Sequence, residues 1–283
     1  MARVDLTGAA DLHVHFGPDA HRERSVTALE AARDAKNAGH AALVLKSHDY
    51  PTPAVASLTG DLVPEVRVFG GICCDNSIGG MNPAAVEVAL RLGAKVVWLP
   101  TLTSRQDFDS GIMQRLGLGG EPVDVSDEEG ELLPPTREVL MLVGEHDAVL
   151  ATGHVSSADH FAVTRARGSV SVLVTHAMEP LAGPNLSIEE CEELADMGAT
   201  IELTAFTCLG AMASRPIEDI VGCVRAVGTE RCTIATDYGQ KANPRPAEGL
   251  QQFADALVEA GLDEKEIRAM ACTNPCRLLG IGA

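Results

Sequence analysis

Aromatic residues are scarce in this chain, with one Trp, two Tyr and six Phe in 283 residues. A core built from it must pack Ala, Val, Leu and Ile rather than rings. No apolar run approaches the roughly 18 to 20 residues that cross a bilayer, so no membrane span is expected. Basic charge is also short, at 22 Lys and Arg against 40 Asp and Glu, for a net charge of −18. That balance disfavours nucleic acid and anionic membrane faces as partners. The opening MARVDLTGAADLHVHF holds no apolar stretch of signal-peptide length before charged residues resume. The eight cysteines are scattered without a disulfide-type framework, and Cys272 and Cys276 have no second Cys or His pair downstream. A reduced, cytoplasmic chain is the expectation.

What is present is the composition of a globular chain, 46% hydrophobic and 22% charged. The length suits one large α/β barrel, which runs to about 250 residues. Eight short apolar segments recur, at 10–16, 42–48, 66–75, 95–101, 148–155, 172–177, 200–206 and 232–237. They are continuous Val/Ile/Leu/Ala runs rather than alternations, the pattern of parallel strands buried on both faces. Helical patterns lie between them at 25–39, 82–93, 136–146, 156–168, 187–198 and 217–228. Several open on Ser, Thr or Asn and close on Gly, as caps require. The order predicts a (β/α)8 TIM barrel spanning residues 1–283. Between the fourth and fifth strands, residues 103–135 are rich in Gly, Asp, Glu and Pro. They read as an insertion in the loop after strand 4, with a small hairpin at VDV…GEL and a place to form a partial lid.

The most informative fragment is Asp11-Leu12-His13-Val14-His15. Residues two apart on a strand share a face, so both imidazoles are expected to project together toward the barrel axis. Two neutral imidazoles make a good start for a transition-metal site. His154 ends the fifth apolar segment, His176 the sixth and Asp237 the eighth. Parallel barrel strands all end on one face, so His13, His15, His154, His176 and Asp237 can converge. Buried polar groups need partners, and a divalent metal would satisfy all five together. Zinc suits such a His/Asp set best, as one ion or two, with manganese, iron or cobalt also compatible.

At these residues the chain resembles the amidohydrolase superfamily of metal-dependent barrel hydrolases. The resemblance runs from DLHVHFGP through TGHVS, VTHA and TD to the closing NPCRLLGI at 274–281. Within the superfamily it is most similar to a small bacterial and fungal group that carries LKSH after strand 2. The resemblance implies His13, His15 and Asp237 on one metal and His154 and His176 on a second. It also implies that Asp237 takes the proton of the attacking water and passes it to the leaving group. One departure stands out. Two-metal members often place a carboxylated Lys or a Glu at the end of strand 4, whereas here that strand ends Trp98-Leu99-Pro100-Thr101. Lys46 at the end of strand 2 is the candidate to bridge instead, since carboxylation turns a cation into an anionic oxygen ligand; the alternatives are that it binds an anionic substrate or pairs with Asp11 or Asp49.

The reading that follows is a hydrolase of an amide, cyclic amide, lactone or related ester, acting on a small-molecule substrate with metal-activated water. A one-metal decarboxylase on the same barrel is the alternative. A metal-dependent phosphoesterase usually has seven strands, and a non-catalytic ligand-binding barrel would not need all five donors. A homo-oligomer is compatible with any of these. His48, Glu202 and Arg215 are candidate substrate or supporting contacts, with Arg105, Tyr50 and Tyr238 as further substrate candidates. Glu202 interrupts an apolar strand and is expected to point inward onto a polar partner. His21, His40, His146 and His160 read as surface residues.

Overall fold

The computed structural model describes residues 3–282. All eight apolar segments form strands: β1 Ala10–His15, β2 Ala42–Lys46, β3 Arg67–Cys73, β4 Ala94–Trp98, β5 Val149–Ala151, β6 Ser171–Val174, β7 Thr200–Thr204 and β8 Cys232–Ala235. They pair in sequence order, each parallel to the next. The seam between β8 and β1 is made just past the end of β8. There Asp237 N donates to His13 O at 3.0 Å and His15 N donates to Tyr238 O at 2.8 Å. The result is a nearly closed (β/α)8 barrel, as the run of continuous apolar segments predicts. Leu12, Val44, Val96, Trp98, Val149 and Leu173, drawn from five strands, are buried in one cluster.

Helices fill the intervals where the sequence pattern places them, at Ala28–Asn37, Pro83–Arg91, Pro134–Glu145, Ser157–Ala166, Ile188–Asp196 and Ile217–Val227. Thr27, Ser156 and Ser187 each close a reciprocal capping box with an acidic residue three positions on, which satisfies otherwise orphaned backbone donors. The pattern missed Pro53–Leu62, Pro246–Glu259, Glu264–Arg268 and Asn274–Leu279. The first of these carries Thr59 and Gly60, poor helix formers that blur its periodicity.

Each strand ends before its apolar segment does, and at three of them this moves a candidate ligand off the strand. β5 stops at Ala151, β6 at Val174 and β8 at Ala235, so His154, His176 and Asp237 lie in the turns that follow. Backbone conformation is the reason. Gly153, His176 and Asp237 take φ values of 64°, 27° and 54°, which leave the extended region and stop the ladder. At Gly153 a Cβ would fall 2.4 Å from Leu99 O, so only glycine lets the β5 turn press against the end of β4.

β1 is not a regular strand either. Its pairing with β2 shifts between Asp11 and Val14, where one extra residue enters β1. Such a bulge re-aims side chains, and here His13 and His15 still bring their rings to 5.3 Å between centroids. Between β4 and the helix Pro134–Glu145 the chain forms two short helices, Arg105–Asp109 and Ile112–Arg115. The hairpin expected at VDV…GEL reduces to one antiparallel bridge, Ser126 opposite Leu132. Arg105 is fixed on Asp124 at 2.8 Å, pinning the two halves of this segment together.

Candidate metal centre

At the C-terminal ends of the strands lies a cavity of about 360 Å³, lined among others by His15, Lys46, His48, His154, His176 and Asp237. His13 stands behind it, fully buried. The nitrogen and oxygen atoms that His13, His15 and Asp237 can offer a cation lie within 4.8 Å of one another. Asp237 Oδ1 is 3.2 Å from His13 Nε2 and 3.1 Å from His15 Nε2. The His154 and His176 rings are 4.8 Å apart, and His176 lies 5.9 Å from His13. His48 joins the same ring of imidazoles, stacked at 4.9 Å on His15 and 6.1 Å from His154. Lys46 pairs in register with His15 and places Nζ 2.9 Å from His13 Nε2. Trp98, at the end of β4, lies beneath both, 5.4 Å from the ammonium and 6.0 Å from the His13 ring.

Three of the imidazoles are held from behind by carboxylates. Glu202 Oε2 is 3.1 Å from His13 Nδ1 and also accepts from His176 N at 3.0 Å. Asp107 Oδ2 is 2.7 Å from His154 Nδ1, while its Oδ1 accepts from Gly183 N. Asp75 accepts from the Thr101 hydroxyl, which leaves that oxygen to accept from His48 Nδ1 at 2.6 Å. In each case Nδ1 carries the proton and Nε2 keeps its lone pair, the tautomer a metal or an incoming proton needs. Glu202 was expected to meet a polar partner inside the barrel, and its partner is His13. Asp107 and Asp75 escaped sequence reasoning. Their only signal is an acidic residue among helix and loop residues, and nothing local says which histidine it meets.

Burial dominates the electrostatics. It holds His13, His15 and His176 well below the usual imidazole range and His48 at about 3. Neutral imidazoles are the ligating form. Burial also raises Asp237 to about 8 and Glu202 to about 7, with Lys46 pulling both the other way. His15 Nδ1, His176 Nδ1 and Glu202 Oε1 are buried without a hydrogen-bond partner. Unmet polar atoms of this kind are costly, and three of the eight among the described residues lie here. The backbone is strained at the same place. His176 and Asp237 are non-glycine residues in the left-handed region, a conformation that persists when its surroundings over-determine it. Ala177 N on Glu202 O at 3.0 Å, with the Asp237 N bond to His13 O, supplies that constraint. The donor set and the tautomers fit a divalent cation.

A second group, His48, Cys73 and Asp75, also brings its donor atoms within 4.8 Å. It does not fit a cation. Asp75 is saturated by Thr101 and Thr103, which each offer a backbone N–H and a hydroxyl, and burial pushes the Cys73 thiol up.

Several candidate residues lie elsewhere. Arg215 is occupied by Met178 O at 2.8 Å, by Asn185 and by Asp219, and it does not line the cavity. Tyr50 donates to Pro18 O, and Tyr238 is buried behind the site. His40 and His160 are not surface residues; they are 4% and 0% exposed. His160 sits between Thr152 Oγ1 and Ser156 O at 2.9 and 2.8 Å, because its helix turns that face onto β5. His21 lines the cavity mouth and pairs with Asp49 at 2.8 Å.

Solved structures with this fold include an amidohydrolase from Pseudomonas aeruginosa, at 16% identity and a TM-score of 0.65 over 96% of this chain and 95% of that one. Another is 2,6-dihydroxybenzoate decarboxylase from Rhizobium, at 11% identity and a TM-score of 0.62 over 97% and 99%. Both establish the likeness of the barrels and no more. No curated protein matches the chain. Residues 8–202 match the model described as "Family of unknown function (DUF6282)", and the chain belongs to that family.

Proposed function

We propose that this protein is a metal-dependent hydrolase of an amide, cyclic amide, lactone or related ester. The observation that carries the reading is the convergence of four imidazoles and Asp237 on one cavity, with His13 directly behind them and three of the five imidazoles backed by buried carboxylates. His13, His15 and Asp237 would hold one divalent ion, with His154 and His176 for a second and Lys46, if carboxylated, between them. Zinc is the best match to this donor set. When bound, the metal supplies a Lewis acid for the substrate's oxygen and makes hydroxide accessible near neutral pH.

The remaining chemistry belongs to the chain. Asp237 faces the cavity beside His13 and His15, which places its carboxylate within reach of water held at the same point. It would accept the proton of the attacking water at a carboxylate oxygen and return it to the leaving group. Glu202, Asp107 and the Thr101–Asp75 pair keep His13, His154 and His48 in one tautomer and one orientation. His48 then presents Nε2 to the substrate or the ion. Metal analysis of the purified protein, followed by a screen of amides, lactones and esters, tests the reading. Stoichiometric metal with metal-dependent hydrolysis is the expected result, whereas hydrolysis unchanged after complete chelation would overturn it.

A second reading, a one-metal decarboxylase, draws support from Lys46. Its Nζ, 2.9 Å from His13 Nε2, can serve as a bare ammonium that meets a substrate carboxylate. Product analysis separates the two, as release of carbon dioxide or addition of water.

A further inference from the structure

We infer that the substrate carries a second, oxyanionic group, a carboxylate or phosphate, separated by an apolar body from the bond that is broken. The inference rests on the hydrolase reading for the position of that bond, and on the cavity's own charge for the rest. The chain has 40 acidic against 22 basic residues, yet one carboxylate, Asp237, lines the cavity against Arg22, Arg24, Arg115 and Lys46. Two of these cations have other work. Lys46 is at the metal centre, and Arg24 is neutralised by Asp19, with both side chains almost fully buried.

Arg22 and Arg115 do not. Both are exposed, and among the described residues no carboxylate pairs with either guanidinium. Arg115 makes one bond, to Ser110 O at 3.1 Å. Arg22 comes from the loop after β1 and Arg115 from the short helix Ile112–Arg115, yet both line the same cavity. Ile112, Leu116, Phe206 and Met212 contribute apolar wall to it. A guanidinium is built for bidentate binding of carboxylate or phosphate, and two unpaired ones in a small pocket favour an anion. The volume, about 360 Å³, suits a metabolite-sized molecule.

Two sets of probes test this. In the first, short alkane hydroxamates ending in a carboxylate, a phosphonate or a carboxamide are bound to the metal-loaded protein. The hydroxamate takes the metal and the far end reports on the arginines. A charged end should bind about tenfold more tightly than the carboxamide, the scale of one charge-assisted contact. In the second set, a phenylalkyl sulfonate and the corresponding neutral alcohol are bound to metal-stripped protein, and the anion should again be preferred. Both preferences should disappear in Arg22→Gln/Arg115→Gln and persist in Arg105→Gln, whose guanidinium is already paired outside the cavity. Equal binding of charged and neutral probes in the second set, or a preference that survives the double substitution, overturns the inference. Failure of the metal reading looks different. The carboxamide-ended hydroxamate would then bind loaded and stripped protein alike, while the sulfonate comparison still decides the question of charge.

Discussion

Asp107 Oδ2 stands 2.7 Å from Nδ1 of His154. The carboxylate comes from the segment between β4 and the helix Pro134–Glu145, and the imidazole from the turn after β5. That segment therefore does more than cover the cavity. It fixes the tautomer of one imidazole and, through Gly183 N on Oδ1, ties in the loop after β6.

Asp107→Asn should weaken metal binding by about 10 to 100-fold, the usual effect of losing the carboxylate behind a ligating histidine. The amide keeps an acceptor for Gly183 N but presents an N–H to His154 and turns its tautomer. Metal titration by calorimetry checks this, and unchanged affinity would remove Asp107 from the centre.

The barrel and the convergence of its donors were legible because both follow from strand order. Continuous apolar segments imply parallel strands, and parallel strands share one C-terminal end. The supporting contacts were not legible, because each joins residues far apart in sequence. Glu202 could be picked out only as a charge inside an apolar strand, without its partner. Asp107 and Asp75 looked like ordinary loop acids. His40 and His160 looked like surface residues because each falls in a helix or loop with no convergent partner nearby in sequence, and only the packing of neighbouring elements buries them. Arg215 shows the opposite failure, an isolated cation that the fold spends on Asn185 and Asp219.

Asp237→Asn preserves size and removes the proton acceptor. Turnover should fall by about 10² or more, the range of a general acid–base contribution. Metal content should fall less, since four histidines of the set remain. Steady-state rates measured alongside metal content distinguish the two effects, and near-normal turnover would end the general-base assignment.

His40 gives a pH prediction remote from the candidate metal centre. Burial lowers it from 6.5 to about 4. Above pH 6.5 neither folded nor unfolded chain holds the proton, so His40 contributes nothing to the pH dependence. Between 6.5 and 4 the unfolded chain takes it up and the folded chain does not, so stability falls as pH falls. Below about 4 both are protonated and the loss levels off at about 3 kcal/mol. His40→Gln should flatten the slope of unfolding free energy between pH 6 and 5 by up to about one proton. Urea unfolding at a series of pH values reads this directly, and equal slopes would refute it.

Lys46 offers the sharpest test of how many ions the proposed centre would hold. Its side chain is 1% exposed, stacked over Trp98, and its Nζ meets His13 Nε2, the lone pair a cation would use. Among the described residues no carboxylate forms an ion pair with it. A bare ammonium beside a dication is strongly repelled, so the two can share the site only if the lysine loses its charge or stands back. Carboxylation resolves the conflict by converting the cation into an oxygen ligand. On that account Lys46→Ala loses most of one metal, and added short carboxylates partly restore activity by taking the empty position. Lys46→Arg keeps the positive charge but cannot be carboxylated, and it should lose the same metal without rescue. Labelled bicarbonate should give a carbamate carbon resonance in the wild type and in neither variant. A Lys46→Ala protein with two metals and normal turnover would refute the bridge. One metal beside an uncarboxylated lysine would instead make the ammonium a contact for a substrate carboxylate, and the decarboxylase reading would take precedence.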